Sequence, residues 1–214
     1  MLAQAYRQDA CAPSEKGMNL YGAKPDGSRR WYSRGYLSHF DGGEITQFIT
    51  FRLHDSLPQD VLLGWRGELA GEPETEREIL LNRRIEKYLD QGFGECFLLN
   101  PEIAAIVQNA LLFHDNSLYR LSAWIIMPNH VHLLLTPNAG VALSRILHSL
   151  KSFTSNKVNQ MLGRKGKLWQ EESFDRYIRN REHYEKTITY IENNPVKARL
   201  CERPSDWQFS SAFH

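Results

Sequence analysis

The chain has 214 residues, 42% of them apolar, and a formal net charge of +1, which is enough for one hydrophobic core with elaborations and too little for two full domains. Its three cysteines, Cys11, Cys96 and Cys201, are odd in number and form no CxxC pair, which excludes a disulfide framework or a zinc ribbon and fits a reducing compartment. With no basic leader ahead of an apolar stretch and no run of about 18 apolar residues, the chain reads as a soluble cytoplasmic protein without a membrane span.

Residues 1–42, rich in Gly, Ser and Arg, read as an irregular arm. "EITQFITFRL", 44–53, alternates β-branched and aromatic residues and predicts a strand. From Glu74 to Leu89 the apolar residues Ile79, Leu80, Ile85, Tyr88 and Leu89 fall at helical spacing. Asn100 as N-cap and Pro101 at the first helical position open another helix. "YRLSAWIIMP", 119–128, predicts a strand, Pro128-Asn129 a turn or bulge, and 130–136 the next strand. A helix follows from Leu143 to Met161, stopped at Gly163. "FDRYIRN", 174–180, is a short strand, and Asn180 caps a helix expected to end at Asn194 because Pro195 follows. This order points to an α+β fold with helices on an antiparallel sheet.

Charge is uneven along the chain. Residues 60–97 are rich in acids, whereas residues 141–170 hold six Lys or Arg and no Asp or Glu. That asymmetry is the footprint of a basic face or of a solvated helix followed by a basic turn.

Within the apolar run "NHVHLLL", 129–135, His130 and His132 are two apart. On a strand they share a face, while Val131 and Leu133 point the other way. Such a pair either satisfies hydrogen bonds in the sheet or forms a rigid platform for a divalent cation. In the last helix, Tyr190 and Asn194 are four apart and share a face, beside a stripe of Tyr184, Thr187, Ile188 and Ile191 expected to pack down. A phenol that attacks phosphorus, an amide that completes a metal site and two histidines make up a phosphoryl-transfer centre. Lys186 and His183, one and two turns back, are either sources of positive potential for the phenol or solvent-facing residues.

These stretches resemble one family, the REP-associated tyrosine transposases among the HUH (histidine–hydrophobe–histidine) single-strand DNA nucleases and transposases. The resemblance rests on "AWIIMPNHVHLLL", "LKSFTSN", "LWQEESFDRYIRN", "YEKTITYIENNPVKARL" and "SDWQFSSA", in the family's order over about residues 120–212. The arm and first strand, "RRWYSRGYLSHFDGGEITQFITFRL", are similar too. It implies a ferredoxin-like antiparallel sheet flanked by helices, divided into an N-terminal arm, 1–42, and a catalytic domain, 43–214. The acidic helical segment at about 55–97 resembles an insertion in that domain. His130, His132 and Asn194 are then the implied ligands of Mg²⁺ or Mn²⁺, and Tyr190 the implied nucleophile.

The implied activity is cleavage and strand transfer on single-stranded REP hairpin DNA in a bacterial cytoplasm. It proceeds through a 5′-phosphotyrosine, with no small-molecule cofactor and with a monomer supplying Tyr190 in cis. Implied DNA-binding residues are Lys151, Thr154, Arg164, Lys165, Lys167, Trp169, Gln170 and Arg179, with Trp169 as a stacking face. Arg29, Arg30, Trp31 and Arg34 of the arm suit readout of splayed guide bases, and Trp124 and Trp207 are assigned to the core. Two alternatives stand beside this reading: a catalytically silent nucleic-acid-binding protein of the same fold, and a non-enzymatic interaction module. A metallohydrolase built on HxH needs a (β/α)₈ barrel, usually of about 250 residues, and the chain is short for one.

Overall fold

A computed structural model describes residues 30–33, 38–41 and 44–213. The described residues form two sheets: a short antiparallel pair, β1 (Arg30–Ser33) and β2 (Ser38–Asp41), and a four-stranded sheet. The second comprises β3 (Gln47–Arg52), β4 (Tyr119–Ile126), β5 (His130–Pro137) and β6 (Phe174–Tyr177), in the order β4-β5-β3-β6 with every pairing antiparallel. Among the described residues five α-helices accompany the sheets: α1 (Gln59–Glu68), α2 (Glu74–Leu89), α3 (Pro101–Phe113), α4 (Leu143–Met161) and α5 (Arg181–Lys197). The chain is therefore α+β, with β3 and β5 central and the βαββαβ order of a ferredoxin-like sheet.

Alternation along the strands sorts side chains between two faces. On one face Ile49 and Phe51 of β3 and Val131, Leu133 and Leu135 of β5 pack with Ile103, Val107 and Leu111 of α3 and Ile146, Leu150 and Val158 of α4. On the other, Phe48, Leu134 and Ile125 meet Ile191 of α5, with Tyr184, Ile188 and Tyr190 alongside. His130 and His132 share the parity of Leu134, so they open toward α5. A third cluster, Leu57, Leu62, Leu69, Leu81, Ile85 and Leu89, joins α1 to α2 within the acidic segment.

The structure departs from the sequence-based expectations in several places. Residues 30–33 and 38–41, expected to be irregular, form a strand pair that runs beside β6. Helix α1 is new; in "QDVLLGWRGE" only Leu62 is fully buried, so its periodic signal is weak. Pro195 does not end α5, which continues to Lys197. A proline removes only its own N–H, and the last turn is secured by Ala198 N–H to the Asn194 carbonyl at 2.9 Å and Leu200 N–H to the Pro195 carbonyl at 2.8 Å. Asn194 therefore stays in helical register with Tyr190.

The outer edge of β4 is covered by the segment after α5. Ile126 N–H donates to the Phe209 carbonyl and Ser211 N–H to the Trp124 carbonyl, both at 2.9 Å, and Ser210 bridges Ile125. Trp124 is buried, and the half-buried Trp207 donates its indole N–H to the Ile126 carbonyl at 2.9 Å, which agrees with their assignment to packing. Among the described residues no helix is long and apolar enough to cross a membrane.

Candidate active site

The Nε2 atoms of His130 and His132 face each other at 3.1 Å. Each Nδ1 is held from behind: His130 by Asn129 Oδ1 at 2.7 Å, His132 by Thr50 Oγ1 at 2.8 Å. Thr50 stands directly across from His132 and Arg52 across from His130 in the β3–β5 register. Both imidazoles are buried. Burial, followed by the positive charges of Arg52 and Lys197, lowers the His130 pKa to about 3. The His132 pKa also falls well below the usual histidine value, through burial and then through His130 and Lys197. Both rings are therefore neutral at physiological pH, the form that offers a lone pair to a metal.

The Tyr190 ring lies edge-on to His132 with centroids 5.6 Å apart, and to Phe48 at 5.8 Å; Phe48 in turn stacks on His132 at 5.4 Å. Its helix face was expected to be exposed, but the Tyr190 hydroxyl is buried and lacks a hydrogen-bond partner. Burial, then the Glu86 carboxylate, raises its pKa well above the ordinary tyrosine value. Glu86 and Asn194 act on the hydroxyl from nearby, although neither satisfies the geometry of a hydrogen bond. Lys197 sits 5.8 Å from the centre of the Tyr190 ring and pairs with Asp90 at 2.8 Å. Asn194 is only 1% exposed, and neither its Oδ1 nor its Nδ2 has a partner. Two imidazole nitrogens that face each other, and an orphaned buried amide on the helix that carries Tyr190, are donors of the kind a divalent cation takes. Among the described residues there is no group of three or more His, Cys, Asp or Glu that could hold a metal.

The expected DNA-binding residues divide into two groups. Trp169 is no stacking face: it is 4% exposed, edges onto Phe51 at 4.8 Å and donates its indole N–H to Thr154 Oγ1 at 2.8 Å. Thr154 is buried with it and donates to the Leu150 carbonyl at 2.7 Å. Lys151 donates to the carbonyls of Gln170 at 3.0 Å and Glu171 at 3.1 Å, and burial, then Arg52, lowers its pKa to about 8. Gln170 donates its amide to the His54 carbonyl at 2.6 Å. These four residues brace the segment 168–172 against α4 and β3; Thr154 and Trp169 are buried, while Lys151 and Gln170 are half-buried.

Lys165, Lys167 and Arg179 are exposed, and Arg164 lies with its guanidinium 4.8 Å from the Phe97 ring centre. Arg30 is described only in its backbone, and Arg29 and Arg34 lie outside the described residues. Lys186 is paired with Glu182 at the surface, and His183 Nδ1 accepts the Arg179 backbone N–H at 3.3 Å, so Lys197 is the cation that faces the phenol.

Sequence reasoning passes over Asn129, Thr50, Arg52, Glu86 and Lys197. Thr50 and Arg52 do leave a signal: like the histidines, they are polar residues two apart in an apolar strand, "FITFR".

Residues 100–194 match the family model described as transposase IS200 like. The REP-associated tyrosine transposase of Escherichia coli (strain K12) is 34% identical over 98 residues, which is 45% of this chain and 55% of that protein. The match thus spans about half the length of this curated relative. A solved structure of a REP-associated tyrosine transposase bound to a REP hairpin shares the fold with a TM-score of 0.50 and 22% identity, over 84% of this chain and 81% of that one. Across residues 100–194 the chain is thus similar in sequence to the IS200-like transposases, and it shares its fold with a REP-associated tyrosine transposase.

Proposed function

We propose that the protein is a divalent-metal-dependent single-strand DNA endonuclease and strand transferase acting on REP-type hairpins through a 5′-phosphotyrosine. The observation that carries this reading is the approach of the Tyr190 ring to within 5.6 Å of His132, whose Nε2 converges with that of His130 at 3.1 Å. Adjacent donors in an octahedral shell of about 2.1 Å radius stand about 3 Å apart, so this spacing suits two ligands of one ion. His130, His132 and the Asn194 amide would hold the metal, and Mn²⁺ matches two nitrogens better than Mg²⁺ does. When bound, the ion neutralises charge developing on the scissile phosphate.

The remaining roles fall to the chain. Tyr190 Oη attacks phosphorus and loses its proton; the bond from phosphorus to the 3′ oxygen breaks, and that oxygen leaves as a protonated 3′-hydroxyl. Attack by another 3′-hydroxyl reverses the step and joins a new strand. Glu86, whose own pKa burial raises, lies near the phenol, and its charge keeps Tyr190 protonated until DNA replaces these surroundings. Lys165, Lys167, Arg164 and Arg179 track phosphates, and the arm, including Arg29, Arg30 and Arg34, reads guide bases. A single copy acts with its tyrosine in cis in a bacterial cytoplasm.

The test is a labelled hairpin oligonucleotide incubated with Mn²⁺ and resolved on a denaturing gel. A covalent protein–DNA adduct is expected, absent in Tyr190→Phe and in His130→Ala. Hairpin binding without any adduct would instead establish the catalytically silent reading, which the buried, partnerless hydroxyl of Tyr190 favours.

A further inference from the structure

The histidine pair belongs to a longer hydrogen-bonded chain that has a direction. Asn129 is buried, and its Nδ2 donates to the carbonyls of Phe93 at 2.9 Å and Leu89 at 3.3 Å. An amide whose nitrogen is committed to two acceptors presents its oxygen to the other side, where His130 Nδ1 lies at 2.7 Å. An amide oxygen only accepts, so His130 carries its proton on Nδ1 and its Nε2 is a lone pair. Across the 3.1 Å gap, His132 Nε2 is then the donor. Its Nδ1 becomes an acceptor, filled by the Thr50 hydroxyl at 2.8 Å.

Two residues of this chain thus have different freedom. An amide pinned by two carbonyls cannot turn, whereas a hydroxyl donates or accepts by rotating. For a cation to take both Nε2 atoms, His132 must move its proton from Nε2 to Nδ1, at unchanged net charge, and Thr50 must turn from donor to acceptor.

Resting on the metal-binding reading above, we propose that Asn129 and Thr50 are the positioning residues of the histidine pair. Asn129 fixes His130 in the ligand-ready tautomer, and Thr50 lets His132 change tautomer when the cation arrives. The acidic segment is thereby built into the site, because the Leu89 and Phe93 carbonyls that pin Asn129 belong to the end of α2 and the loop after it. That loop is shaped by Gly94, whose φ of +91° and approach to Asp55, 3.0 Å from an added Cβ to Oδ2, leave no room for a side chain.

The experiment uses the full chain with ¹⁵N-labelled histidine. In metal-free protein, long-range ¹H–¹⁵N spectra are expected to show His130 protonated on Nδ1 and His132 on Nε2. Saturation with Mg²⁺ should move the His132 proton to Nδ1 and leave His130 unchanged. Asn129→Ala and Thr50→Val should each raise the Mn²⁺ dissociation constant, read by electron paramagnetic resonance, about ten- to hundredfold, with Thr50→Ser restoring it. Gly94→Ala, which displaces the Phe93 carbonyl without touching a side chain of the site, should weaken Mn²⁺ in the same direction and serves if Asn129→Ala does not fold. Metal-free His130 protonated on Nε2, or Mn²⁺ affinity within twofold of wild type in the folded variants, would overturn the inference. Wild-type protein that binds neither ion overturns the metal reading instead, while the metal-free tautomers still decide the roles of Asn129 and Thr50.

Discussion

Tyr190 combines a reactive group with an unsatisfied one, since its hydroxyl is buried without a partner. Leaving such a donor unpaired costs about 1–3 kcal/mol, so Tyr190→Phe should abolish the covalent adduct and yet stabilise the protein by about 1 kcal/mol, read as a higher thermal midpoint. A lower midpoint would show that the hydroxyl is satisfied in solution. At this scale the sequence is partly legible. The period of two on β5 puts His130 and His132 on one face, and the helical spacing puts Tyr190 with Asn194, because both follow from backbone geometry alone. Asn129 reads in the sequence only as a turn former. Its hydrogen bonds to Leu89 and Phe93 join residues 40 and 36 positions away, and no local pattern encodes such a pairing.

Helix α4 shows how an element can be placed correctly and its chemistry misjudged. Its bounds, Leu143–Met161, are those expected, but Lys151 points at backbone carbonyls and not at solvent. In the folded state Lys151 releases its proton near pH 8, in the unfolded chain near 10.5. Between those values the unfolded state binds more protons, so this group's contribution to stability rises with pH. Relative to Lys151→Met, wild-type protein should gain up to about 3 kcal/mol between pH 8 and 10.5, measured by urea unfolding across that range. A pH-independent difference would mean that Lys151 is solvated. Trp169 and Thr154 mislead for the same reason: their places near a basic turn read as a DNA face, while Trp169 packs on Phe51 of the distant β3 and donates its indole N–H to Thr154 on α4. In α5 the expected stop at Pro195 fails because one missing N–H near a helix end costs little when the flanking carbonyls find donors.

For the molecule as a whole, the α+β class and the order of the catalytic elements are legible, since each strand and helix from 119 onward carries a clear period. In the segment 55–97, α2 has the bounds expected, Glu74–Leu89, while α1 is not legible. The segment's helices form a small core of their own, and polar links to the rest of the fold include Asn129 to the Leu89 and Phe93 carbonyls and Asp90 to Lys197 of α5. The exposed cations Lys165 and Arg179 belong to this scale, because phosphate binding is a property of the summed field. Removing one phosphate-binding cation should shallow the salt dependence of hairpin binding by about 0.7 in log Kd against log salt. Lys165→Gln and Arg179→Gln should each do so, whereas Lys151→Gln should leave the slope unchanged. An unaltered slope in both surface variants would place the DNA elsewhere.

The cover that residues 209–211 lay along β4 has a colloidal consequence. A sheet rim with free amide and carbonyl groups is a template on which other copies can zip together into fibrils; here three residues of the same polypeptide occupy it. Losing that short strap, by proteolysis or misfolding, would turn a self-contained sheet into a seed.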